Sequence, residues 1–258
     1  MELCDALCAD RAALTALWAE TFGDPPALIG RFLTLLPELG FGLAAVEDGR
    51  LLGAAYWIDA LRLEGRRLGY LYAVAVDPTA RGRGVGAALN RACIGQGRER
   101  GALWCTTEPA EPSLFAWYAR VGLHPALSVR RTAHSAAALL PVAPLTARDY
   151  GERREALLAL TPHVTLLPAA LDFEEALLRS FGGGFFAVGQ GIAAVEREDG
   201  RALVRETLGE DTAAAAASLA AFLGCGRAER QETAEKGETL LAADRPLPHG
   251  TQWGLRFD

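Results

Sequence analysis

One segment reads Tyr70-Leu-Tyr-Ala-Val-Ala-Val-Asp-Pro78, then Thr79-Ala-Arg-Gly-Arg-Gly-Val-Gly86, then Ala87-Ala-Leu-Asn-Arg-Ala-Cys-Ile-Gly-Gln-Gly-Arg-Glu-Arg100. Its first part is almost wholly apolar and rich in Val and Tyr, which is typical of a strand buried on both faces. Proline ends this strand because it has no backbone N–H to donate to a sheet. Beyond the glycines, apolar residues recur at the spacing of one helix face: Val85, Ala88, Leu89, Ala92 and Cys93. The glycines therefore lie at the N-terminus of a helix, directly after a buried strand.

This position predicts an anion-binding turn. The first N–H groups of a helix have no partners within the helix and carry the positive end of its dipole, so they attract anions. Gly82, Gly84 and Gly86 have no side chain that would keep a phosphate away, and Arg81 and Arg83 add positive charge. The alternative is an ordinary tight turn with two solvated arginines, since short glycine motifs also occur by chance.

Two blocks resemble the GNAT superfamily of N-acyltransferases. Residues 81–86 read Arg-x-x-Gly-x-Gly after Val-x-Val-x-Pro, which is similar to the acyl-CoA signature of that family. Residues 113–123 read Ser-Leu-Phe-Ala-Trp-Tyr-Ala-Arg-Val-Gly-Leu, similar to the family's helix with a tyrosine followed four residues later by glycine and an apolar residue. The blocks stand in the family's order and spacing. The resemblance covers residues 1–134 and is strongest over residues 68–123.

Two other glycine-rich phosphate loops fit less well. A Walker-type loop needs Gly-Lys-Ser/Thr at the start of the helix, and this turn has no lysine. The dinucleotide fingerprint G-x-G-x-x-G/A is satisfied loosely by Gly82, Gly84 and Ala87. That fingerprint puts its first glycine at the end of the strand, whereas residues 77–81 intervene here. We therefore rank it second.

The composition is that of an ordinary globular protein. Of the 258 residues, 50% are hydrophobic and 22% are charged, so the chain can bury one large core or two smaller ones. The net charge of −6 argues against nucleic acid as a partner and mildly favours a cationic substrate. The longest apolar segment, residues 213–225, is shorter than a membrane span, and the N-terminus lacks a signal-peptide pattern. We expect no membrane partner.

The cysteines and histidines predict neither disulfides nor a metal site. The cysteines are odd in number and scattered, which favours free thiols in a reducing compartment: Cys4, Cys8, Cys93, Cys105 and Cys225. The histidines show no ligand spacing around them. We therefore expect a cytoplasmic protein without a bound metal, present as a monomer or homodimer.

The first part of the chain reads α-α-β-β-β-α-β-α-β. Two helices, near residues 10–22 and 27–36, precede strands near residues 41–46 and 50–57 that are joined by an Asp-Gly hairpin signal. A mixed α/β sheet flanked by helices follows, with the glycine turn at its centre. This order is the one that the resemblance implies for a GNAT domain over residues 1–134.

The rest of the chain predicts a second, smaller unit. Residues 135–147 are rich in Ala and Pro and indicate a linker, and residues 148–258 then repeat β-β-β-α-β, similar to a degenerate GNAT half. An unrelated α+β domain is the alternative. The equivalent turn reads Gly209-Glu210-Asp211, which would repel phosphate. We expect this half to be structural or to shape the acceptor site.

The resemblance implies where acetyl-CoA binds. In the family, free N–H groups of the central strand hold the thioester and pantetheine arm, and the turn holds the pyrophosphate. The strand positions are Val74, Ala75 and Val76, and the turn positions are Arg81, Gly82, Arg83, Gly84, Val85, Gly86 and Ala87. A fully paired strand is the alternative, and it would offer no free N–H groups.

The resemblance also implies a catalytic acid. Tyr118 matches the tyrosine that donates a proton to the CoA sulfur, and a phenol is protonated at neutral pH. A tyrosine that only packs in the core is the alternative. The general base stays open, because Tyr70 stands where some members have glutamate and Glu111 where many have asparagine. The candidates are Glu108, Glu111, His124, the C-terminal carboxylate of Asp258 and a water chain.

The sequence thus predicts an acetyl-CoA-dependent N-acetyltransferase. Its acceptor is a primary amine of a small molecule or a peptide. A non-catalytic acyl-CoA-binding sensor is the alternative, because no glutamate stands at the position of Tyr70.

Overall fold

The computed structural model describes residues 1–254 and divides the chain into two compact units. Unit 1 consists of residues 1–126 and 241–246, and unit 2 consists of residues 127–240 and the chain from residue 247 onward. Each unit has its own strands, helices and buried core. The predicted α/β class with a mixed sheet flanked by helices is confirmed.

Unit 1 has five strands of its own and four α-helices. In chain order they are β1 (Glu2–Asp5), α1 (Arg11–Phe22), α2 (Pro26–Leu39), β2 (Gly40–Glu47), β3 (Arg50–Leu63), β4 (Arg66–Val76), α3 (Val85–Glu99), β5 (Trp104–Thr107) and α4 (Leu114–Ala119). The strand order is β1-β2-β3-β4-β5. Neighbouring strands are antiparallel except for β4 and β5, which are parallel.

The helix boundaries of unit 1 follow from capping and burial. The Asp10 carboxylate accepts from the Ala12 N–H and starts α1, as predicted, and Gly23, with φ of +82°, ends it. We expected α2 to end before Pro37, but it continues to Leu39. A proline this close to the end of the helix removes a single bond, and the burial of Leu39 favours the extra turn.

Unit 2 contains the second half of the elements. After β6 (His124–Ser135), which begins in unit 1, they are β7 (Val142–Leu145), α5 (Ala147–Leu157), β8 (Val164–Leu166), α6 (Pro168–Ser180), β9 (Gly184–Val188), β10 (Gly191–Glu198), β11 (Arg201–Leu208), α7 (Thr212–Phe222), β12 (Arg227–Ala234) and β13 (Glu238–Ala243). The last residues of β13 belong to unit 1. The sequence did not predict β1, β8 or β13.

The two units repeat one topology. The strands of unit 2 are ordered β7-β9-β10-β11-β12, and their pairs are antiparallel except for the last, which is parallel. This is the order and direction of β1-β2-β3-β4-β5. The helices also correspond, because α5 and α6 follow the first strand and α7 lies between β11 and β12. The predicted repeat is therefore present as a repeat of strand order.

In each unit, the strand that completes the sheet is distant in sequence from the strand with which it pairs. In unit 1, Ala242 and Ala243 pair with Thr107 and Thr106 of β5. In unit 2, residues 128–135 of β6 pair with residues 227–234 of β12. The compact units thus differ from the predicted boundary at residue 134, because strand pairing assigns the end of β13 to unit 1 and most of β6 to unit 2.

The predicted linker over residues 135–147 contains regular structure. β7 pairs with β9 from Val142 to Leu145, and Ala147 begins α5. Because β7 is an edge strand, Pro144 is tolerated in it, since an edge strand needs ladder hydrogen bonds on one side alone. The proline content that suggested a linker here marks the edge of a sheet.

A tryptophan packs α3 onto the sheet of unit 1. Trp57 of β3 is fully buried, and its indole ring lies between Gly69 of β4 and Gly97 of α3. A Cβ atom at either glycine would overlap this ring. The close packing fixes how α3, and the turn before it, sit relative to β4.

Candidate functional site

The C-terminal part of β4 diverges from β5. Ala54 lies opposite Ala75 and Tyr56 opposite Tyr72, so β4 carries one more residue than β3 in this interval. The bulge includes Ala73, whose φ of +44° is uncommon for a residue with a side chain. β4 pairs with β5 over Leu68–Tyr70 alone, so the described residues 71–76 have no ladder partner in β5. The strand is therefore not fully paired, as the resemblance implied.

The turn after β4 is built from hydrogen bonds and glycines. The Asp77 carboxylate accepts from the Thr79 N–H (2.8 Å) and the Arg50 guanidinium (3.0 Å), and these bonds, those from Thr79 foremost, lower its pKa to about 2. Gly82 and Gly84 have φ of +76° and +81°, a left-handed conformation that disfavours any side chain. Gly84 is the N-cap of α3, and no side chain caps the first N–H groups of this helix. They stay available to an external anion.

A cavity of about 480 Å³ lies against this turn. It brings together seven of the predicted binding residues: Val76, Arg81, Gly82, Gly84, Val85, Gly86 and Ala87. Five further residues, which the sequence analysis did not identify, also line it: Ala80, Arg91, Trp117, Arg120 and Val121. A Cβ atom on Gly86 would lie 3.3 Å from the Trp117 ring, so this glycine permits α3 to approach α4.

Three predicted binding residues do not line the cavity. Val74 and Ala75 lie on the diverging part of β4, and the Arg83 side chain contacts Glu47 and not the cavity. Both oxygens of Glu47 accept from the Arg83 guanidinium, at 2.9 and 2.7 Å, and these bonds lower the pKa of Glu47. Arg83 is therefore already paired, whereas Arg81 lines the cavity and makes no ion pair with any residue of the described chain.

Tyr118 is not part of the cavity lining but packs against Trp117, which is. It is 7% exposed, and its ring packs edge-on against Trp117 at a centroid distance of 4.8 Å. Burial raises the pKa of this phenol, and a hydrogen bond with the Thr107 side chain opposes part of the shift. The Thr107 hydroxyl in turn donates to the Leu71 carbonyl of β4 at 2.9 Å. The phenol is thus a protonated donor at neutral pH, linked through Thr107 to the diverging strand.

The contacts single out no general base among the predicted candidates. Tyr70 is buried and paired on both sides, with Ile58 and Thr106. Glu111 and His124 are exposed, and Glu108 is partly buried just after β5. Asp258 lies outside the described residues.

An aromatic cluster packs the two N-terminal helices onto the sheet. The Trp18 ring lies 4.9 Å from Phe32, 5.0 Å from Tyr56 and 5.4 Å from Tyr72. All four residues are buried, and the Tyr56 hydroxyl has no hydrogen-bond partner within the described part of the chain. Sequence reasoning missed this cluster, because its members are spread over four elements and share no motif.

The described residues were expected to lack a metal site and a membrane-spanning helix. Residues 1–254 contain no group of His, Cys, Asp and Glu side chains arranged to hold a metal ion. Within the same residues, none of the helices has the length and apolar character of a membrane-spanning segment. The five cysteines are free thiols.

The comparisons with known proteins agree with this architecture. A model of the acetyltransferase (GNAT) family matches residues 10–123. No curated protein matches the chain by sequence. Among solved structures, a GCN5-related N-acetyltransferase from Kribbella flavida has a TM-score of 0.67 at 19% identity, covering 94% of this chain and 71% of that one.

Two further solved structures share the fold. A conserved protein of Enterococcus faecalis V583, described as a probable N-acyltransferase, has a TM-score of 0.68 at 13% identity, with 94% of this chain and 72% of that one covered. Eis1 from Mycobacterium abscessus has a TM-score of 0.61 at 19% identity, with 96% and 74% covered. These structures share the fold over both units, and the family match adds the identity of the first: residues 10–123 form a domain of the GNAT acetyltransferase family.

Proposed function

We propose that this protein is an N-acetyltransferase that moves the acetyl group of acetyl-CoA to a primary amine of a small molecule or peptide. The observation that carries the proposal is the combination of an uncapped helix N-terminus with a diverging strand. Both border the cavity of about 480 Å³, and a protonated tyrosine packs against Trp117 of its lining. A thioester with a long phosphorylated arm is the ligand whose chemistry uses all three features.

The turn and the strand divide the binding of acetyl-CoA between them. The pyrophosphate accepts from the free N–H groups at the start of α3 and pairs with Arg81. The pantetheine arm runs along Val74, Ala75 and Val76, where β4 has separated from β5. This arrangement places the thioester at the divergence, close to the bulge.

The chemistry is addition followed by elimination. The neutral amine attacks the thioester carbonyl, a C–N bond forms and the carbonyl oxygen becomes an oxyanion. The C–S bond then breaks, the electron pair leaves with sulfur, and Tyr118 donates its proton to the thiolate. The phenolate regains a proton from water, and the amine nitrogen releases one. The balance is one amide and one free thiol per turnover.

The net charge supports a cationic acceptor, and the free cysteines support a cytoplasmic location. A net charge of −6 favours the approach of a cationic acceptor, which must lose its proton before attack. The free cysteines suit the reducing environment of the cytoplasm, where acetyl-CoA is a common acyl donor.

Release of free thiol from acetyl-CoA tests the proposal. The full-length protein is incubated with acetyl-CoA and a panel of primary amines, from polyamines to peptide N-termini. Amine-dependent thiol release above that of Tyr118→Phe supports the enzyme. Binding of acetyl-CoA without turnover on any amine supports the acyl-CoA sensor instead. Absence of binding overturns both.

A further inference from the structure

We infer that Arg91 and Arg120 form a second phosphate subsite, which recognises the 3′-phosphate of CoA. The inference rests on the proposed function and goes beyond the glycine turn, because neither residue belongs to that turn. Arg91 lies in α3, and Arg120 is the C-cap of α4.

Helix geometry directs both side chains to the same cavity. Arg91 lies four residues after Ala87, a spacing that puts both on one helix face about 6 Å apart along the axis. Arg120 follows Trp117 by three residues, a spacing that also puts two side chains on one helix face. Ala87 and Trp117 line the cavity, as do the two arginines themselves. The guanidinium groups thus reach one space from two helices.

The charges of these arginines are not paired with any carboxylate of residues 1–254. Elsewhere in unit 1, several arginines form ion pairs with carboxylates: Arg50 with Asp77, Arg67 and Arg100 with Asp59, and Arg83 with Glu47. Arg91 and Arg120 form none with the described residues, and the cavity lining contains three arginines and no acidic residue. In a chain with a net charge of −6, such a concentration of unpaired positive charge indicates an anionic ligand.

One pyrophosphate does not account for all three arginines. It is held by the N–H groups at the start of α3 and by Arg81, which follows the short turn of residues 78–80. CoA carries one other phosphate, the monoester on the ribose, which is largely dianionic at neutral pH. Arginine binds phosphate oxygens with two parallel N–H donors, so Arg91 and Arg120 together match this group.

Binding of two ligands to the full-length protein tests the subsite. Calorimetry compares acetyl-CoA with acetyl-3′-dephospho-CoA for the wild type, Arg91→Gln, Arg120→Gln and the double variant. The wild type should prefer acetyl-CoA by about 10- to 100-fold, the value of one or two charged hydrogen bonds. The double variant should lose this preference while keeping its affinity for the dephospho ligand. Arg31→Gln, an exposed arginine of α2 outside the cavity, is the matched control.

Each contrary outcome has its own meaning. Equal affinity of the wild type for the two ligands overturns the subsite but leaves the proposed function standing. A preference that survives in the double variant also overturns it. Tight binding of inorganic phosphate that depends on these arginines assigns the subsite to free phosphate and overturns the link to CoA. Failure to bind either ligand removes the proposed function itself.

Discussion

The two halves of this chain share a strand order and differ in what surrounds one turn. Both central strands carry a bulge: in unit 2, Ala194 pairs with Glu206 and Val195 with Val204, so Arg205 is the extra residue of β11. Both also part from their parallel neighbour, since β11 pairs with β12 over Arg201–Val204 and no farther. The bulge and the divergence are therefore properties of the fold, present with or without a ligand site.

The turn is the first difference. The first N–H groups of α3 are uncapped, whereas in α7 the Asp211 carboxylate accepts from the Ala214 N–H at 2.9 Å. The cavity at the second turn measures about 150 Å³, and Glu210 and Asp211 are part of its lining. In the second half, the Asp211 carboxylate thus sits at the helix N-terminus, which is the position that an external anion would take at α3.

The second difference lies beyond the parallel pair. Unit 1 has α4 with its tyrosine after β5, whereas β12 leads through residues 235–237 directly into β13. Where β11 and β12 diverge, residues 252–254 line a cavity of about 40 Å³ together with residues of both strands. The same fold therefore leaves a cavity of about 480 Å³ beside the turn in one half and a cavity of about 40 Å³ at the strand divergence in the other.

The largest effect is expected from removing the end of β13, which pairs with β5. A chain that ends at residue 134 lacks Ala242 and Ala243, which pair with β5, and Asp244, which accepts from the Cys105 N–H at 3.0 Å and pairs with Arg98. With β5 left as an open edge, we expect no cooperative thermal transition by circular dichroism. A soluble fragment that melts cooperatively and binds acetyl-CoA would show that the first half is independent of the second.

Removal of the Tyr118 hydroxyl should affect catalysis alone. Tyr118→Phe keeps the ring packing against Trp117 but loses the acid, so kcat should fall by about 10²- to 10⁴-fold with little change in KM or Tm. Steady-state kinetics and a thermal melt on one preparation separate the two roles. A lower Tm with normal turnover per folded molecule would make Tyr118 a core residue, like Tyr150 of the second half.

The pH dependence of kcat follows from the same phenol. Catalysis needs the protonated form, which exists below the pKa and is lost as pH rises through it. Because burial raises the pKa of Tyr118, the alkaline limb should lie above the ordinary tyrosine value of about 10. The profile of Tyr118→Phe should lack that limb. A limb well below 10 would assign the acid to another group.

The buried ion pair of unit 2 should govern its stability. Arg154 donates to both oxygens of Glu206, at 2.8 and 3.1 Å, and the Tyr150 hydroxyl donates to the same carboxylate at 2.5 Å. Glu206→Gln leaves the buried Arg154 with the partly exposed Glu155, at 3.6 Å, as its remaining ion partner, which should cost up to about 3–5 kcal/mol by denaturant unfolding. The double change Arg154→Leu/Glu206→Leu should recover much of this loss. Acetyl-CoA affinity should stay unchanged in both, since unit 1 holds the site; a loss in either would contradict that assignment.

Charge reversal at the two turns gives a matched pair with a smaller effect. Arg81→Glu should weaken acetyl-CoA binding by roughly 10- to 100-fold, because a charged hydrogen bond is replaced by repulsion of the pyrophosphate. Glu210→Arg should leave affinity unchanged and create no second site, since Asp211 still caps α7. Calorimetry should give one CoA per chain in both proteins and in the wild type. A stoichiometry of two would contradict the division of roles between the halves.

Local chemistry allowed much of the first half to be predicted. The end of β4, the glycine turn and α3 depend on proline, on glycines with positive φ and on a helical repeat of apolar residues, all of which act over a few residues. The acidic second turn was predicted on the same basis. The linker prediction failed because Ala and Pro also suit an edge strand, and edge position depends on neighbours that are distant in sequence.

The sequence by itself determined which half carries the proposed phosphate-binding turn, because the glycines, the arginines and the helix start are neighbours along the chain. The tertiary structure alone decided that the last strand of each unit pairs with a strand distant in sequence, that Arg91 and Arg120 join Arg81 at one cavity, and that Arg83 pairs with Glu47 instead. These outcomes depend on which strands and helices come together over long separations. Strand partners are selected by total burial and hydrogen bonding across the sheet, and no local pattern encodes that sum.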